Sequence, residues 1–348
     1  MDRVLVTGGA GFIGSHLVDS LLDSGADVLV VDDFRMGRRE HLGSEGTASR
    51  LTVIEGDIRS AEDLRPVADF APDTVFHMAA LHFIPYCNAH PQEALDVNVL
   101  GLDAVIRAVR SAPLKSFVFP SSGAIYGFGD QPWPETAPAR PDEIYGISKW
   151  MGEQVMGRFH ADRPELRTVV ARLFNTYGPR ETNPHVLPEV MKALGAGRTI
   201  ELGNLWPQRD LIYVTDTAAG LVAAAQDGVA GSGPAQGGVA GSGLAQGGVA
   251  GSGLAQGGVA GSGLAERDPG LEVFNVGTGT GTTIEDVMET IGEITGHPVD
   301  VRQVPERMRD GDGHLISDPQ KLMQATGWKP EYDLEAGLRQ LLASEGLL

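Results

Sequence analysis

Cysteine is almost missing from this sequence of 348 residues. The chain contains one, Cys87, so no disulfide can form within it. A single cysteine fits the reducing environment of the cytoplasm, where we expect the protein to act. We interpret Cys87 as a small buried residue, and a reactive thiol is the alternative.

Long apolar runs and basic side chains are also scarce. No apolar run approaches the roughly 20 residues that span a bilayer, and we expect no secretion signal because Arg3–Val6 resembles a first core strand. Lys and Arg number 27 against 46 Asp and Glu, which gives a net charge of −19. We therefore expect neither a membrane nor a nucleic acid as partner. A small phosphorylated ligand can still bind to local arginines and helix N-termini.

Short apolar segments alternate with helix-like segments in the first half of the chain. This alternation predicts a parallel sheet covered by helices on both faces, which is the Rossmann-type doubly wound α/β fold. The segments predicted as strands are Val4–Thr7, Val28–Val31, Leu51–Glu55, Thr74–His77, Ser116–Pro120 and Thr168–Arg172.

The pattern becomes less regular after about residue 175, where prolines are frequent. We predict a cofactor-binding Rossmann domain over residues 1–174, to which later segments return. A smaller mixed α/β region over residues 175–348 would bind substrate. Residues 228–265 repeat a Gly-, Ala- and Ser-rich decapeptide about four times. Such a composition predicts a flexible inserted loop, and a partner-binding arm is the alternative.

A glycine-rich turn, TGGAGFIG at Thr7–Gly14, follows the first predicted strand and begins the first predicted helix. This context is typical of a dinucleotide-binding loop, and a tight turn without a ligand is the alternative. The helix N-terminus at Phe12 and Ile13 supplies N–H groups for phosphates. Gly8 permits the tight turn, and Gly11 lets a pyrophosphate approach the backbone. Gly14 lets the helix pack closely on the strand.

Acidic residues at the ends of the second and third predicted strands point to the adenosine half of the cofactor. Asp32 can accept hydrogen bonds from the ribose hydroxyls and repel the 2′-phosphate of NADP, which favours NAD. Asp57 and Ile58 are placed to contact adenine, although Asp57 is equally suited to cap a helix. Three arginines that follow Asp32 could instead favour a phosphate: Arg35, Arg38 and Arg39.

The segment Tyr145-Gly-Ile-Ser-Lys149 begins a predicted helix, so the phenol and the ammonium lie on one helix face. A nearby ammonium and a positive nicotinamide ring would both favour the phenolate of Tyr145, whose ordinary pKa is about 10. Ser122 follows a predicted strand and can relay a proton to Tyr145. The alternatives are an exposed amphipathic pair for Tyr145 and Lys149, and a simple strand-end turn for Ser122.

The chain resembles the extended short-chain dehydrogenases/reductases, in the branch of NAD-dependent nucleotide-sugar epimerases and dehydratases. The resemblance covers nearly all of the chain except the repeat. Besides the segments above, it rests on HMAA at His77–Ala80, DVNVLG around Asn98, SSGAIYG at Ser121–Gly127, RLFNTYGPR at Arg172–Arg180, RDLIYVTD at Arg209–Asp216, FNVGTG at Phe274–Gly279 and GWKP at Gly327–Pro330.

The resemblance implies a role for each matching residue. Tyr145 would be the catalytic base, Lys149 would hold the nicotinamide ribose and Ser122 would be the third catalytic residue. Further contacts on the cofactor side would be Ala79, Ala80 and Asn98. The sugar diphosphate would contact Asn175, Arg209, Arg309 and Asp312, the last two through a looser match.

The two residues after the catalytic serine suggest the reaction. Dehydratases and decarboxylases of this family carry acidic residues there, whereas this chain has Gly123 and Ala124. The remaining cycle oxidises C4 of the sugar and returns the hydride to the opposite face, as a 4-epimerase does. A 4-ketosugar reductase and a non-catalytic NAD sensor are the alternatives.

The sugar is less well defined by the sequence. UDP-glucuronate and UDP-glucose are the leading candidates. We favour UDP-glucuronate because Arg180 could bind its carboxylate, and a structural ion pair is the alternative role of Arg180. Leu202 stands where the family often stacks an aromatic ring on the base. The resemblance further implies a homodimer formed through a four-helix bundle, with helices near Val97–Ala112 and Tyr145–Phe159. No metal site is predicted.

Overall fold

The computed structural model describes residues 1–43, 49–226, 271–305 and 313–348. Its main sheet has seven parallel strands among these residues. In spatial order the strands are β3 (Leu51–Glu55), β2 (Asp27–Asp32), β1 (Arg3–Thr7), β4 (Thr74–His77), β5 (Ser116–Ser122), β6 (Arg167–Leu173) and β10 (Leu271–Val276). Strands β3 to β6 follow the Rossmann order, which confirms the predicted fold class. The fifth strand extends two residues beyond its prediction and includes Ser122.

Helices cover both faces of this sheet. Val4 and Val6 of β1 pack on one face with Leu17 of α1 (Phe12–Asp23) and Leu221 of α8 (Val214–Ala225). Leu5 points to the other face, since successive side chains of a strand alternate. There it shares a core with Leu102 and Met156, which belong to α5 (Gly101–Ala108) and α6 (Ile144–Asp162).

The connection from β1 to α1 requires glycine at two positions. Gly8 has φ +68°, and a Cβ atom there would lie 2.6 Å from the backbone nitrogen of Ala79. A Cβ atom on Gly14 would lie 2.2 Å from the carbonyl oxygen of Gly8. A larger residue at Gly8 would displace the segment after β4, and one at Gly14 would separate α1 from the turn.

Shorter helices lie between the strands. A π-helical turn at Asp96–Leu100 precedes α5, so the single helix predicted near Val97–Ala112 is interrupted. The helix predicted at Tyr145–Phe159 is longer in the structure, where it is α6. The remaining helices of the first half are α2 (Arg65–Phe70), α3 (Ile84–Ala89) and α4 (Pro91–Leu95). The dimer through these helices stays a prediction.

The described residues of the second half of the chain form two small sheets. One contains β7 (Asn175–Tyr177), β9 (Arg209–Tyr213) and β11 (Gly281–Thr282), and the other pairs β8 (Ile200–Leu202) with β12 (Val301–Gln303). They share a separate core with three helices, namely α7 (Val186–Gly195), α9 (Ile284–Thr295) and α11 (Leu334–Ser344). A further helix, α10 (Gln320–Thr326), packs against β10 and α8.

Two later elements belong to the first layer, because α8 packs on α1 and β10 extends the main sheet. We therefore propose a cofactor domain of residues 1–174 with α8 and β10 added, and a substrate region from the other described parts of 175–348. The repeat at residues 228–265 lies outside the described residues. Within the described ranges, no helix has both the length and the apolar character needed to cross a membrane.

Candidate active site

A cleft of about 1270 Å³ lies at the carboxyl ends of the main-sheet strands, where such sheets bind their ligands. Of the predicted site residues, Asn98 and Arg180 do not line it, and Arg309 and Asp312 lie outside the described residues. The predicted residues that do line it are Gly8, Gly11, Phe12, Ile13, Gly14, Asp32, Asp57, Ile58, Ala79, Ala80, Ser122, Tyr145, Lys149, Asn175 and Arg209.

The glycine loop is shaped to hold a diphosphate. Gly11 is the N-cap of α1 and brings no side chain to the helix N-terminus, which therefore opens toward the cleft. The first N–H groups of a helix have no partner within the helix, and its N-terminus carries partial positive charge. A Cβ atom on Gly11 would lie 3.3 Å from the Gly8 carbonyl oxygen, so the turn has little room for a side chain there. These features fit a dinucleotide.

The carboxylate of Asp32 lies at the end of β2 and is only 6% exposed. Its Oδ2 accepts a hydrogen bond from the backbone N–H of Ala10 at 2.8 Å, and its Oδ1 accepts one from Phe34 at 2.9 Å. Burial raises the pKa of this carboxyl above its usual range, although the two backbone donors oppose the shift. The backbone thus fixes the orientation in which Asp32 can accept from ribose hydroxyls.

Two of the arginines that follow Asp32 form ion pairs with carboxylates. Arg35 donates to Glu93 at 2.5 Å, and Arg39 donates to Glu55 at 3.0 Å. A 2′-phosphate of NADP would have to compete with both acidic partners. The alternative that these arginines select NADP is therefore weakened by the structure.

Asp57 forms a turn rather than a helix cap. Its carboxylate accepts from the backbone N–H of Arg59 at 2.8 Å and from the Arg59 guanidinium at 2.5 Å, while α2 begins only at Arg65. The hydrogen bond from the Arg59 side chain holds the pKa of Asp57 below its usual range. Ile58 is buried against Gly101 and still contributes to the cleft wall.

Ser122, Tyr145 and Lys149 meet in this cleft. Tyr145 is the second residue of α6, and its phenol interacts with the side chain of Ser122, the last residue of β5. Lys149 follows one helical turn later and is buried, so the two residues are not an exposed amphipathic pair. Its Nζ atom donates to the carbonyl of Pro120 at 2.7 Å and lies 5.9 Å from the centre of the Tyr145 ring. The Ser122 hydroxyl also accepts from the N–H of Ala124, so it terminates the strand as well.

Burial controls the protonation of this pair. It raises the pKa of Tyr145 to about 12, although the hydrogen bond with Ser122 opposes the shift. It lowers the pKa of Lys149 to about 8. Burial therefore opposes the phenolate that the sequence predicted from Lys149 and the nicotinamide ring together. An additional positive charge beside Tyr145, such as the nicotinamide ring of bound NAD, would supply the missing stabilisation.

Asn98 acts one layer behind the cleft. Its side chain is 2% exposed, accepts from the N–H of Leu81 at 2.8 Å and donates to the carbonyl of the same residue at 2.9 Å. It also donates to the hydroxyl of Ser148 on α6. These bonds fasten the loop after β4 to α6, so Asn98 supports the wall of the cleft without lining it.

The predicted diphosphate residues reach the cleft from the second region. Asn175 begins β7 with an exposed side chain. Arg209 begins β9, donates to the carbonyl of Gly313 at 3.1 Å and places its guanidinium 4.6 Å from the centre of the Phe128 ring. Phe128 is itself 52% exposed and lines the cleft. A flat cation and an aromatic ring can thus both face a nucleotide.

Arg180 does not enter the cleft, contrary to one of the two interpretations drawn from the sequence. Its Nη1 atom donates to Oδ2 of Asp19 on α1 at 2.7 Å. Its backbone has φ +69°, which turns the residue out of the line of the preceding strand. The structure shows the structural ion pair, which was the alternative interpretation. The prediction that Arg180 contacts the substrate is therefore not supported by its position.

A buried ion pair beneath the site was not anticipated from the sequence. Arg172 of β6 and Glu153 of α6 join through two hydrogen bonds, at 2.8 and 2.9 Å. Ser121, next to the catalytic serine, donates to Glu153 at 2.6 Å, and Arg172 also donates to the Tyr126 hydroxyl at 2.8 Å. Although burial opposes the charged form, Glu153 raises the pKa of Arg172. This network fixes β5 and β6 to the helix that carries Tyr145.

A second unanticipated group faces the cleft from two loops, the His82–Glu181–His185 cluster. Burial lowers the pKa of His82 to about 4. Burial would raise the pKa of Glu181, but its hydrogen bond with His185 and the nearby His82 hold it below the usual range. Glu181 and His185 are four residues apart but precede α7, so no helical spacing signalled them.

Comparison with known proteins identifies the family. Residues 4–236 match the NAD dependent epimerase/dehydratase family. The chain is 30% identical to the UDP-glucose 4-epimerase of Mycolicibacterium smegmatis, over 97% of this chain and 96% of that protein. The chain belongs to the NAD-dependent epimerase/dehydratase family.

Solved structures agree with this assignment. The UDP-glucose 4-epimerase of Thermus thermophilus in complex with NAD superposes with a TM-score of 0.78 at 29% identity, over 99% of each chain. MoeE5 in complex with UDP-glucuronic acid and NAD superposes with a TM-score of 0.75 at 28% identity, over the full length of both chains. The predictions of an extended short-chain dehydrogenase/reductase fold, of an NAD-dependent epimerase and of NAD as its cofactor are confirmed.

Proposed function

We propose that this protein is a 4-epimerase of UDP-sugars and that its substrate is a neutral hexose, the UDP-glucose/UDP-galactose pair. The observation that carries the proposal is the contact between Tyr145 and Ser122 beside two residues, Gly123 and Ala124, that have no acid or base. Such a site can move one proton at one hydroxyl. It lacks the adjacent acidic side chains that the family resemblance associates with elimination or decarboxylation.

Each residue of the site has a distinct task. NAD, when bound, accepts a hydride from C4 of the sugar and gives it back. Tyr145 removes the proton of the 4-hydroxyl and later returns it, and Ser122 holds that hydroxyl and relays the proton. Lys149 keeps a positive charge next to the phenol while it is protonated. Asp32 and the glycine loop retain the cofactor, and Asn175 and Arg209 hold the diphosphate.

A neutral sugar is favoured over a uronate by the charges around the cleft. Arg180, the arginine that could have met a carboxylate at C5, pairs with Asp19 instead. The M. smegmatis and T. thermophilus relatives are also UDP-glucose 4-epimerases.

UDP-glucuronate is the second candidate, because the structure of MoeE5 was solved with UDP-glucuronic acid as well as with UDP-glucose. One experiment separates the candidates. Purified protein without added cofactor is offered UDP-glucose, UDP-galactose, UDP-glucuronate and the corresponding dTDP-, GDP- and CDP-sugars, and the products are identified by NMR. We expect C4 inversion of the neutral UDP-hexoses.

Faster turnover of UDP-glucuronate would replace the neutral-sugar proposal. A strict requirement for added NADPH with a reduced product would show a reductase. Absence of turnover with every sugar, while NAD remains bound, would support the non-catalytic alternative.

A further inference from the structure

The His82–Glu181–His185 cluster has no part in the hydride and proton transfers described above. His82 lies in the loop after β4, and the other two members lie in the loop before α7, so distant segments bring the three together. All three line the cleft. Imidazole nitrogens and a carboxylate oxygen are the side-chain groups that transition metals bind most often.

The spacing of the cluster suits one small cation. One ligand atom from each side chain lies within 4.8 Å of the other two. His185 Nδ1 and Glu181 Oε2 are 3.4 Å apart. A tetrahedral zinc ion with bonds of about 2.0–2.2 Å holds its ligand atoms roughly 3.3–3.5 Å from one another. The distance between His185 and Glu181 thus already suits a tetrahedral site. Side-chain rotation can shorten the distances from these two residues to His82.

Asn183 organises the cluster from behind. Its backbone N–H donates to Glu181 Oε1 at 2.9 Å, which leaves Oε2 directed at His185. Its side-chain nitrogen lies 3.1 Å from Nε2 of His82, and this contact restrains the orientation of the ring beside Glu181. Outer hydrogen bonds orient the side chains that bind a metal.

Exposure differs between the members and leaves one side open. The Glu181 side chain is 5% exposed, whereas that of His185 is 41% exposed. The carboxylate therefore enters from the protein interior, and His185 stands toward the mouth of the cleft. The nearby N-terminus of α7 carries partial positive charge, but the full charge of Glu181 outweighs it and coordinate bonds are much stronger.

We propose that His82, Glu181 and His185 bind one divalent transition-metal ion, with zinc as the best match. The three side chains would occupy three positions, and a fourth would face the cleft, where an oxygen of water or of the nucleotide sugar can bind. Binding of the metal requires only the cluster. It can therefore succeed or fail independently of the proposed sugar chemistry.

The test uses the full-length protein without a polyhistidine tag, stripped of metal by a chelator and then titrated with Co²⁺ or Zn²⁺. Calorimetry should show one ion per chain. The Co²⁺ form should show the intense visible absorption of a four-coordinate site, and Zn²⁺ should remove it. Three variants should each weaken binding at least tenfold: His82→Ala, Glu181→Gln and His185→Ala.

His297→Ala, which removes an exposed histidine of the second region, is the matched control and should bind like the unchanged protein. Thermal unfolding of each variant establishes that it is folded. No binding by the unchanged protein, or equal binding by the folded His82→Ala, Glu181→Gln and control variants, would overturn the proposal. UDP-galactose turnover, measured separately in metal-free protein, reports on the epimerase proposal alone.

Discussion

Arg180 binds Asp19 on the second half of α1, with 2.7 Å between Nη1 and Oδ2. The two residues are 161 positions apart in the sequence, and their contact ties the segment after β7 to the cofactor helix. Their side chains are 31% and 36% exposed. The contact holds the guanidinium outside the cleft, and it links the substrate region to the cofactor domain.

Replacing Arg180 with Ala should therefore not discriminate between sugars. We expect kcat/KM to change by the same factor for UDP-glucose and UDP-glucuronate, because the guanidinium touches neither. The free energy of unfolding should fall by about 0–1 kcal/mol, as is usual for a partly exposed ion pair. Asp19→Ala is the matched control and should behave alike. A selective loss with UDP-glucuronate would return Arg180 to the substrate site.

Replacing Tyr145 with Phe should remove turnover while NAD remains bound. The phenyl ring preserves the packing of α6, but no group is left to accept the proton of the sugar hydroxyl. We expect kcat to fall by roughly 10²-fold to 10⁴-fold or more, measured by coupled assay, with bound NAD measured after denaturation. Near-normal turnover would disprove the role of Tyr145 as the base.

The pKa of Tyr145 should itself respond to the cofactor. In NAD-free protein it should be near 12, where burial places it. Binding of NAD should lower it, because the nicotinamide ring adds a positive charge beside the phenol. Ultraviolet difference titration against the Tyr145→Phe variant isolates this one phenol. An unchanged pKa on NAD binding would show that the positive ring does not act on Tyr145.

Acid should destabilise the fold through His77. This buried histidine has its pKa lowered to about 3 by burial and, to a smaller extent, by Lys149. The unfolded chain takes up a proton below about pH 6.5 and the folded chain does not, so the free energy of unfolding falls as pH decreases from about 6.5 toward 3. Between pH 6.5 and 4.5 the loss should be about 2 kcal/mol.

The His77→Gln variant should lose this part of the pH dependence in urea unfolding, because glutamine does not titrate. His297→Gln, at an exposed position, should keep it. Equal pH slopes for the two variants would mean that His77 is not the group responsible.

The buried pair of Arg172 and Glu153 should dominate the stability of the site. Replacing Arg172 with Met leaves the carboxylate buried without its partner, and we expect a loss of about 3–5 kcal/mol in urea unfolding. The exposed pair of Arg158 and Asp162 offers a control. Arg158→Met should cost no more than about 0.5 kcal/mol. Similar losses for the two variants would contradict the importance assigned to the buried pair.

Local spacing in the sequence determined the parts of this protein that depend on single elements. The alternation of strands and helices predicted the sheet, and the glycine spacing predicted the turn into α1. The spacing of Tyr145 and Lys149 placed both on one helix face, because residues four apart in a helix are neighbours. Asp32 and Ser122 could be located because the apolar runs before them showed where two strands end. The repeat at residues 228–265 lies outside the described residues, so its composition is all that the sequence determines about it.

Tertiary structure decided every feature whose partner lies far along the chain. Asp19 forms an ion pair with Arg180, and Glu153 forms one with Arg172. His82 lies beside Glu181 and His185 only because two loops converge at the cleft. The tertiary structure also shifts the pKa values of Tyr145 and Lys149, because burial depends on what packs around a side chain. Spacing along a chain specifies which residues share an element. The low dielectric and the contacts between elements determine what those residues do, and these arise only when the chain folds.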